Sequence, residues 1–139
     1  IRIFATYGPQ EGHKRDYASV PFLFARDVLE DRRIKLFGDG EQVRDFIHIN
    51  DTVDGILELA ERGNGKIFDL GTGVSTSFNR IIELIAKESG KEPKVDLVGE
   101  PKGYVKETHA NLNQVYKPKV DIEMGIADMV ARMREVMGK

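Results

Sequence analysis

The sequence lacks the groups on which several classes of chemistry depend. It has no cysteine, so disulfides, thiolate metal sites and cysteine nucleophiles are excluded, and a cytoplasmic setting is expected. Its histidines, His13, His48 and His109, stand far apart with neither His-x-x-x-His nor His-Glu-x-x-His spacing, so no metal site is expected. No serine sits in a Gly-x-Ser-x-Gly elbow, which removes a common form of the hydrolase triad. No apolar run approaches the roughly 18 residues of a membrane helix. An excess of one charge is missing too. The 21 basic and 23 acidic residues give a net charge of −2, and no electrostatic footprint for nucleic acid follows from that balance.

What is present is one domain's worth of chain. The 139 residues are 40% hydrophobic and 32% charged, enough to bury a core in a soluble fold. The first residues, IRIFATYGP, have no initiator methionine and start inside a strand-like run, so part of an N-terminal domain is expected to precede them. Residues 2–6 read as a buried strand closed by Gly8-Pro9. Residues 17–30 read as a helix capped by Ser19, with Pro21 in the first turn and Phe22, Leu23, Ala25, Val28 and Leu29 as its buried stripe. Residues 34–37 form a short strand, and the two glycines of 38–40 form a turn open to positive φ.

The stretch 43–49 alternates, with Val43, Asp45, Ile47 and Ile49 on one side and Arg44, Phe46 and His48 on the other. Asn50 or Asp51 is expected to cap a helix through Arg62, burying Val53, Ile56, Leu57 and Ala60. Strand 66–70 reads, like 2–6, as fully buried in a parallel sheet. The glycine loop GTGVSTS leads to a helix over 77–89, with Phe78, Ile81, Ile82 and Ile85 inward and Gly90 at its end. A strand at 95–98, a loop or β-arm over 99–109 and a short helix at 110–116 follow. The last helix starts near Asp121 and is expected to bury Ile122, Ile126, Met129, Val130, Met133 and Val136, with its methionines as core. Alternating strands and helices make the class α/β.

Four stretches carry candidate chemistry, each with a plainer reading beside it. In GDGEQVRDF a glycine turn leads into a strand whose Arg44 offers a planar fork of donors suited to phosphate. The plainer reading is a surface Arg44–Asp45 pair. DLGTGVSTS puts glycines between a strand and a helix, where anions are held, but it lacks the Gly-x-Gly-x-x-Gly fingerprint, and a structural loop is the simpler reading. PKGYVK is basic and carries Tyr104, as a solvated loop or as a base or phosphate contact. In YGPQEGHKRDY, Lys14 is an ordinary exposed lysine unless the loop folds over a cleft, where burial brings a lysine toward an acid/base range.

Taken in order, RIFATYGP, LFGDGEQVRDFIHINDTVDGI and IFDLGTGVSTSF closely resemble the C-terminal half of nucleotide-sugar epimerases and dehydratases of the extended short-chain dehydrogenase/reductase superfamily. The pattern there runs, loosely, RxFNxYGP, GDGxxxRDFxHVxD, FNLGTG. The likeness covers residue 1 to about residue 85 and continues more thinly to the end. YGPQEGHKRDYASVPF and PKGYVKETHANL further resemble segments of ADP-glycero-manno-heptose 6-epimerases, beside the UDP-glucose 4-epimerase-like group.

This resemblance implies an α/β fold made of the C-terminal part of a Rossmann-like parallel sheet plus a small α/β substrate-binding domain. Residues 1–8 and about 51–70 would complete the sheet. It implies NAD or NADP as cofactor, and oxidation and re-reduction at a sugar carbon. By the same resemblance Lys14 is an acid/base residue, and Arg44 and Tyr104 bind the nucleotide part. Phe37, Gly38, Asp39 and Gly40 line the substrate site, Asp16 contacts substrate, and Ala5 and Thr6 face the cofactor. The implied partners are a nucleotide-diphosphate sugar and the Rossmann half in cis or trans, with a homodimer in the full-length protein and neither nucleic acid nor membrane. The family's GxxGxxG loop and YxxxK pair are not in this sequence, so the chain alone is expected to be inactive. A non-catalytic nucleotide-sugar-binding fragment and a 4,6-dehydratase or reductase are the alternatives.

Several positions depart from the pattern. Ala5 replaces its asparagine, Asp16 a serine, Leu23 a histidine and Asn111 an acid. The Leu-Gly before Tyr116 is missing, as is an arginine near residue 100, leaving Lys102 or Tyr104 as substitutes. The motifs therefore point more firmly to the reaction type than to the heptose.

Overall fold

The opening apolar run forms two strands, which pair with different partners. In the computed structural model, which describes residues 1–112 and 115–138, the chain runs β1 (Arg2–Ile3), β2 (Ala5–Tyr7), a 3-10 segment (Gly12–Tyr17), α1 (Val20–Leu29), β3 (Arg33–Phe37), β4 (Val43–His48), α2 (Ile49–Arg62), β5 (Asp69–Leu70), β6 (Ser75–Ser77), α3 (Phe78–Ser89), β7 (Lys94–Val98) and α4 (Ile122–Met137). β1 pairs parallel with β5 (Arg2↔Asp69, Ile3↔Leu70). β2 pairs parallel with β4 (Ala5↔Phe46, Tyr7↔His48), and β6 lies antiparallel on the other side of β4. β3 and β7 form a separate parallel pair. The class is α/β with parallel pairing, as expected.

Side-chain caps start the helices. Ser19 accepts from Phe22 N in α1, Ser77 from Arg80 N in α3 and Asp121 from Met124 N in α4. Gly90 and Gly138 end α3 and α4 in the left-handed conformation. The main core joins α1, α3 and α4 to β2, β3 and β4 through residues such as Phe22, Phe24, Leu29, Ile34, Phe46, Ile81, Ile126 and Met129. A smaller cluster of Ile47, Leu59, Leu70 and Tyr116 seats α2. There Gly55 permits close approach, since a Cβ would lie 2.5 Å from Leu70 Cδ1.

Several sequence expectations are corrected. The 2–6 run is not fully buried: Ile3 is 50% exposed, because among the described residues β1 packs substantially against β5 alone. The 66–70 strand shrinks to Asp69 and Leu70, which are buried, while Ile67 is exposed. His48, not Asn50 or Asp51, caps α2, its Nδ1 accepting from Asn50 N. The stripe Val53, Ile56, Leu57 and Ala60 faces outward, and Asp51, Thr52, Gly55 and Leu59 face inward instead. In α1, Phe24 is buried and Leu23 only partly so. In α4, Ile122 is half-buried, and Val136 and Met124 are exposed. The 110–116 helix falls partly on residues 113 and 114, which lie outside the described residues; 110–112 and 115–116 are not helical.

Two buried aspartates hold the loops. Asp45, fully buried, accepts from Thr72 N (2.7 Å), Thr72 Oγ1 (2.7 Å), Gly73 N (2.8 Å) and Ala110 N (3.0 Å). Asp51 accepts from Tyr116 Oη (2.6 Å), Lys119 N (2.9 Å) and Val120 N (2.8 Å). Replacing Asp45 by alanine strands three backbone donors, each costing about 1–3 kcal/mol. Asp45→Ala is therefore expected to lower the unfolding free energy by roughly 3–5 kcal/mol in urea titration. A loss under about 1 kcal/mol would mean that water replaces the carboxylate.

Candidate functional site

Strand alternation places Arg44 opposite Asp45. The anchored Asp45 faces the interior, so Arg44 points into a cleft of about 460 Å³ bounded by β2, α1, β3 and β4. The two do not form the surface pair of the plainer reading. The Arg44 guanidinium lies 5.5 Å from the Phe78 ring centroid and 5.6 Å from that of Tyr104. It donates from Nη1 to Val43 O (2.8 Å) and from Nη2 to Val105 O (2.6 Å). The Phe37 and Tyr104 rings stand 5.7 Å apart. Ala5, Thr6, Ser19, Leu23, Lys35 and Phe46 also line this cleft.

Phe37 thus belongs to the wall, whereas Gly38, Asp39 and Gly40 form the turn beside it and are not in the lining. Gly38 and Gly40 have φ of 65° and 81°. The turn is closed by Asp39 Oδ1, which accepts from Glu41 N, and Asp39 O, which accepts from Asn79 Nδ2.

A second cavity, of about 450 Å³, lies at the ends of β2 and β4 and against α4. Lys14 lines it with Glu11, Tyr7, His48, Asp128 and Arg132; Thr6 is common to both cavities. Lys14 is 45% exposed and pairs with Glu11 Oε2 at 3.1 Å. Asp16 is exposed on the 3-10 segment and lines neither cavity. The structure therefore brings Arg44, Tyr104, Phe37, Ala5 and Thr6 together, and holds Lys14 in the adjoining cavity.

That second cavity is electrostatically uneven. Burial, with Asp121, Asp51 and Asp128 nearby, pushes the Tyr7 phenol up. His48 is 2% exposed, packs edge-on against Tyr7 and stands 3.5 Å from Asp128 Oδ2 through Nε2. Burial holds its imidazole below the ordinary value despite Asp128 and Asp51, with Arg132 acting in the same sense as burial.

Sequence reasoning missed Lys35, Phe46 and Phe78 in the cleft, and Glu11 and Gln42 beside it. Lys35 was legible from its parity with Phe37 on β3, whose exposure alternates. Gln42, which donates to Phe37 O at 2.8 Å, carried no such signal. The glycine loop at 71–73 is structural, since the Thr72 and Gly73 amides serve Asp45.

Residues 1–71 match the family model described as NAD dependent epimerase/dehydratase family. The chain is 33% identical to a UDP-glucuronate 4-epimerase of Thermodesulfobacterium geofontis, covering 97% of this chain and 42% of that protein. It superposes on a UDP-glucose 4-epimerase with UDP-glucose from Thermotoga maritima with a TM-score of 0.88 at 29% identity, covering 98% of this chain and 45% of that one. The ADP-L-glycero-D-manno-heptose-6-epimerase of Helicobacter pylori gives 0.85 at 28%, over 96% and 42%. The chain thus spans less than half the length of each.

The low proton affinity of folded His48 sets a pH dependence. A histidine depressed on folding contributes stability that is full above its unfolded pKa of about 6.5 and is lost as pH falls through the folded value. Tm is expected to drop from pH 7.5 to 5.5, and more steeply in the wild type than in His48→Gln. Parallel Tm–pH curves for the two proteins would refute the assignment.

Proposed function

Because the chain belongs to the NAD dependent epimerase/dehydratase family, we propose that it is the substrate-binding portion of an epimerase acting on nucleotide-diphosphate sugars. The observation that carries this reading is the Arg44 guanidinium framed by Phe78 and Tyr104 in a cleft rimmed by Phe37. A planar cation between aromatic faces suits a ligand that joins a flat base to a diphosphate. In this reading Arg44 holds the diphosphate, and Tyr104 and Phe37 contact the nucleoside. The 38–40 turn and Asp16 border the sugar side, and Lys14 carries a proton to or from the sugar.

The family is NAD dependent by description, and the dinucleotide supplies the redox chemistry when bound. Its pyrophosphate needs free backbone amides in a glycine-rich turn at a helix N-terminus. The glycine turn after β5 does not fit that demand, since its Thr72 and Gly73 amides are committed to Asp45. In our reading the dinucleotide is held mainly by residues outside this chain, with Ala5 and Thr6 at its edge. The outward stripe of Val53, Ile56 and Leu57 on α2, with Ile1 and Ile3, is then the face that receives the remaining half, in cis or in trans.

A second reading is a nucleotide-sugar-binding module without turnover. The exposure of Lys14 and its place outside the Arg44 cleft favour it.

Calorimetry with UDP-, GDP- and ADP-sugars, together with epimerisation assays, tests both readings. Arg44→Ala is expected to weaken binding about tenfold or more. Lys14→Ala in the complete protein is expected to leave affinity within about twofold and lower kcat about a hundredfold. Binding indifferent to Arg44→Ala sinks the cleft assignment; wild-type turnover in Lys14→Ala removes its proton role, and binding without turnover favours the module.

A further inference from the structure

Glu11 is a loop residue in a core-like environment. It is 6% exposed, and both its oxygens are in use. Gly8 N (3.0 Å) and Ser19 Oγ (2.6 Å) donate to Oε1, and Ser19 N (2.8 Å) and Lys14 Nζ (3.1 Å) donate to Oε2. Burial pushes the carboxyl up, but the bonds from Ser19, Lys14 and Gly8 outweigh it and hold the group below the ordinary value. Lys14 is tied to the same residue a second time, through Lys14 N donating to Glu11 O at 2.9 Å. Next to it the backbone bends sharply, with Arg15 at φ 52°.

This carboxylate also joins the two cavities. Glu11 and Lys14 line the one against α4, while Ser19 lines the cleft that holds Arg44. Ser19 is at the same time the cap of α1, from which Val20, Leu23 and Phe24 reach the cleft wall. A lysine on a four-carbon stem samples many rotamers unless it is tethered, and proton transfer needs the group within hydrogen-bond reach of its target.

We propose that Glu11 is the positioning residue for Lys14: it fixes the ammonium in the cavity against α4 and ties that position, through Ser19, to the α1 wall of the cleft. It acts through Lys14 and does not itself touch the sugar. The proposal rests on the reading of Lys14 as a proton carrier.

The test reads Lys14 directly. Acetylation by acetic anhydride is followed residue by residue by mass spectrometry, with Lys102 as internal reference. Glu11→Gln is expected to speed acetylation of Lys14 about threefold or more. Glu11→Asp keeps the charge but shortens the reach, so it is expected to act in the same direction and covers a poorly folding Gln variant. Asp121→Ala, which removes the α4 cap, controls for general loosening and is expected to leave the ratio unchanged. An unchanged ratio in both Glu11 variants, or an equal rise in Asp121→Ala, overturns the proposal. In the complete protein Glu11→Gln is expected to lower kcat about tenfold at constant KM, with no further loss on a Lys14→Ala background; additive losses overturn it. Wild-type turnover in Lys14→Ala alone removes the proton role of Lys14 and leaves the tether to be judged by acetylation, so the two failures are separable.

Discussion

The buried carboxylate of Asp45 is the constraint on which the cleft depends. It gathers the amides of Thr72, Gly73 and Ala110 around one side chain, and so fixes which face of β4 points inward. Alternation then leaves Arg44 no choice but the cleft. Glu11 and Asp51 do the same work elsewhere, the first on 8–19 and the second on 116–120. In each case irregular chain is held by an acid that accepts at least three hydrogen bonds. Such a group is costly to bury alone and stable when its donors are in place. That is how irregular segments far apart in sequence are kept in register with the strands.

The regular elements were legible in the sequence, because caps and periodicity are local. Ser19, Ser77, Asp121 and Gly90 act where their residue types predict. Arg44, Phe37 and Tyr104 meet in space, but only the resemblance, not the spacing, joined them beforehand. The buried acids were not legible. A Glu in a polar loop and an Asp beside an Arg read as solvated groups, and what buries them is a set of amides 3 to 65 residues away. The cap of α2 was misplaced for a related reason. Asp51 is the better local cap, yet Tyr116, Lys119 and Val120 claim it, and His48 takes the role.

Helix α2 shows what periodicity leaves open. Val53, Ile56 and Leu57 fall at helical spacing, and the face they form is exposed. The opposite face closes on Leu70 and Tyr116 because Gly55 has no side chain to keep them apart. Amphipathicity says that a face is apolar, not what covers it. This face, like Ile1 and Ile3, is exposed, and the main cluster of α1, α3 and α4 does not draw on it.

The state of Arg44 bears on how a cleft of this kind binds. Two carbonyls, of Val43 and Val105, take one N–H each from Nη1 and Nη2. A guanidinium carries five N–H groups, and these two bonds use two of them. The rings of Phe78 and Tyr104 stand 5.5 and 5.6 Å from its central carbon, and the Val105 bond pins the 99–109 arm that carries Tyr104 to the same strand. Under the proposed function the arginine is thus oriented in advance, and binding would not have to order a long flexible side chain at the moment of contact. A lysine at this position would offer a point charge without the plane or the fixed fork of donors.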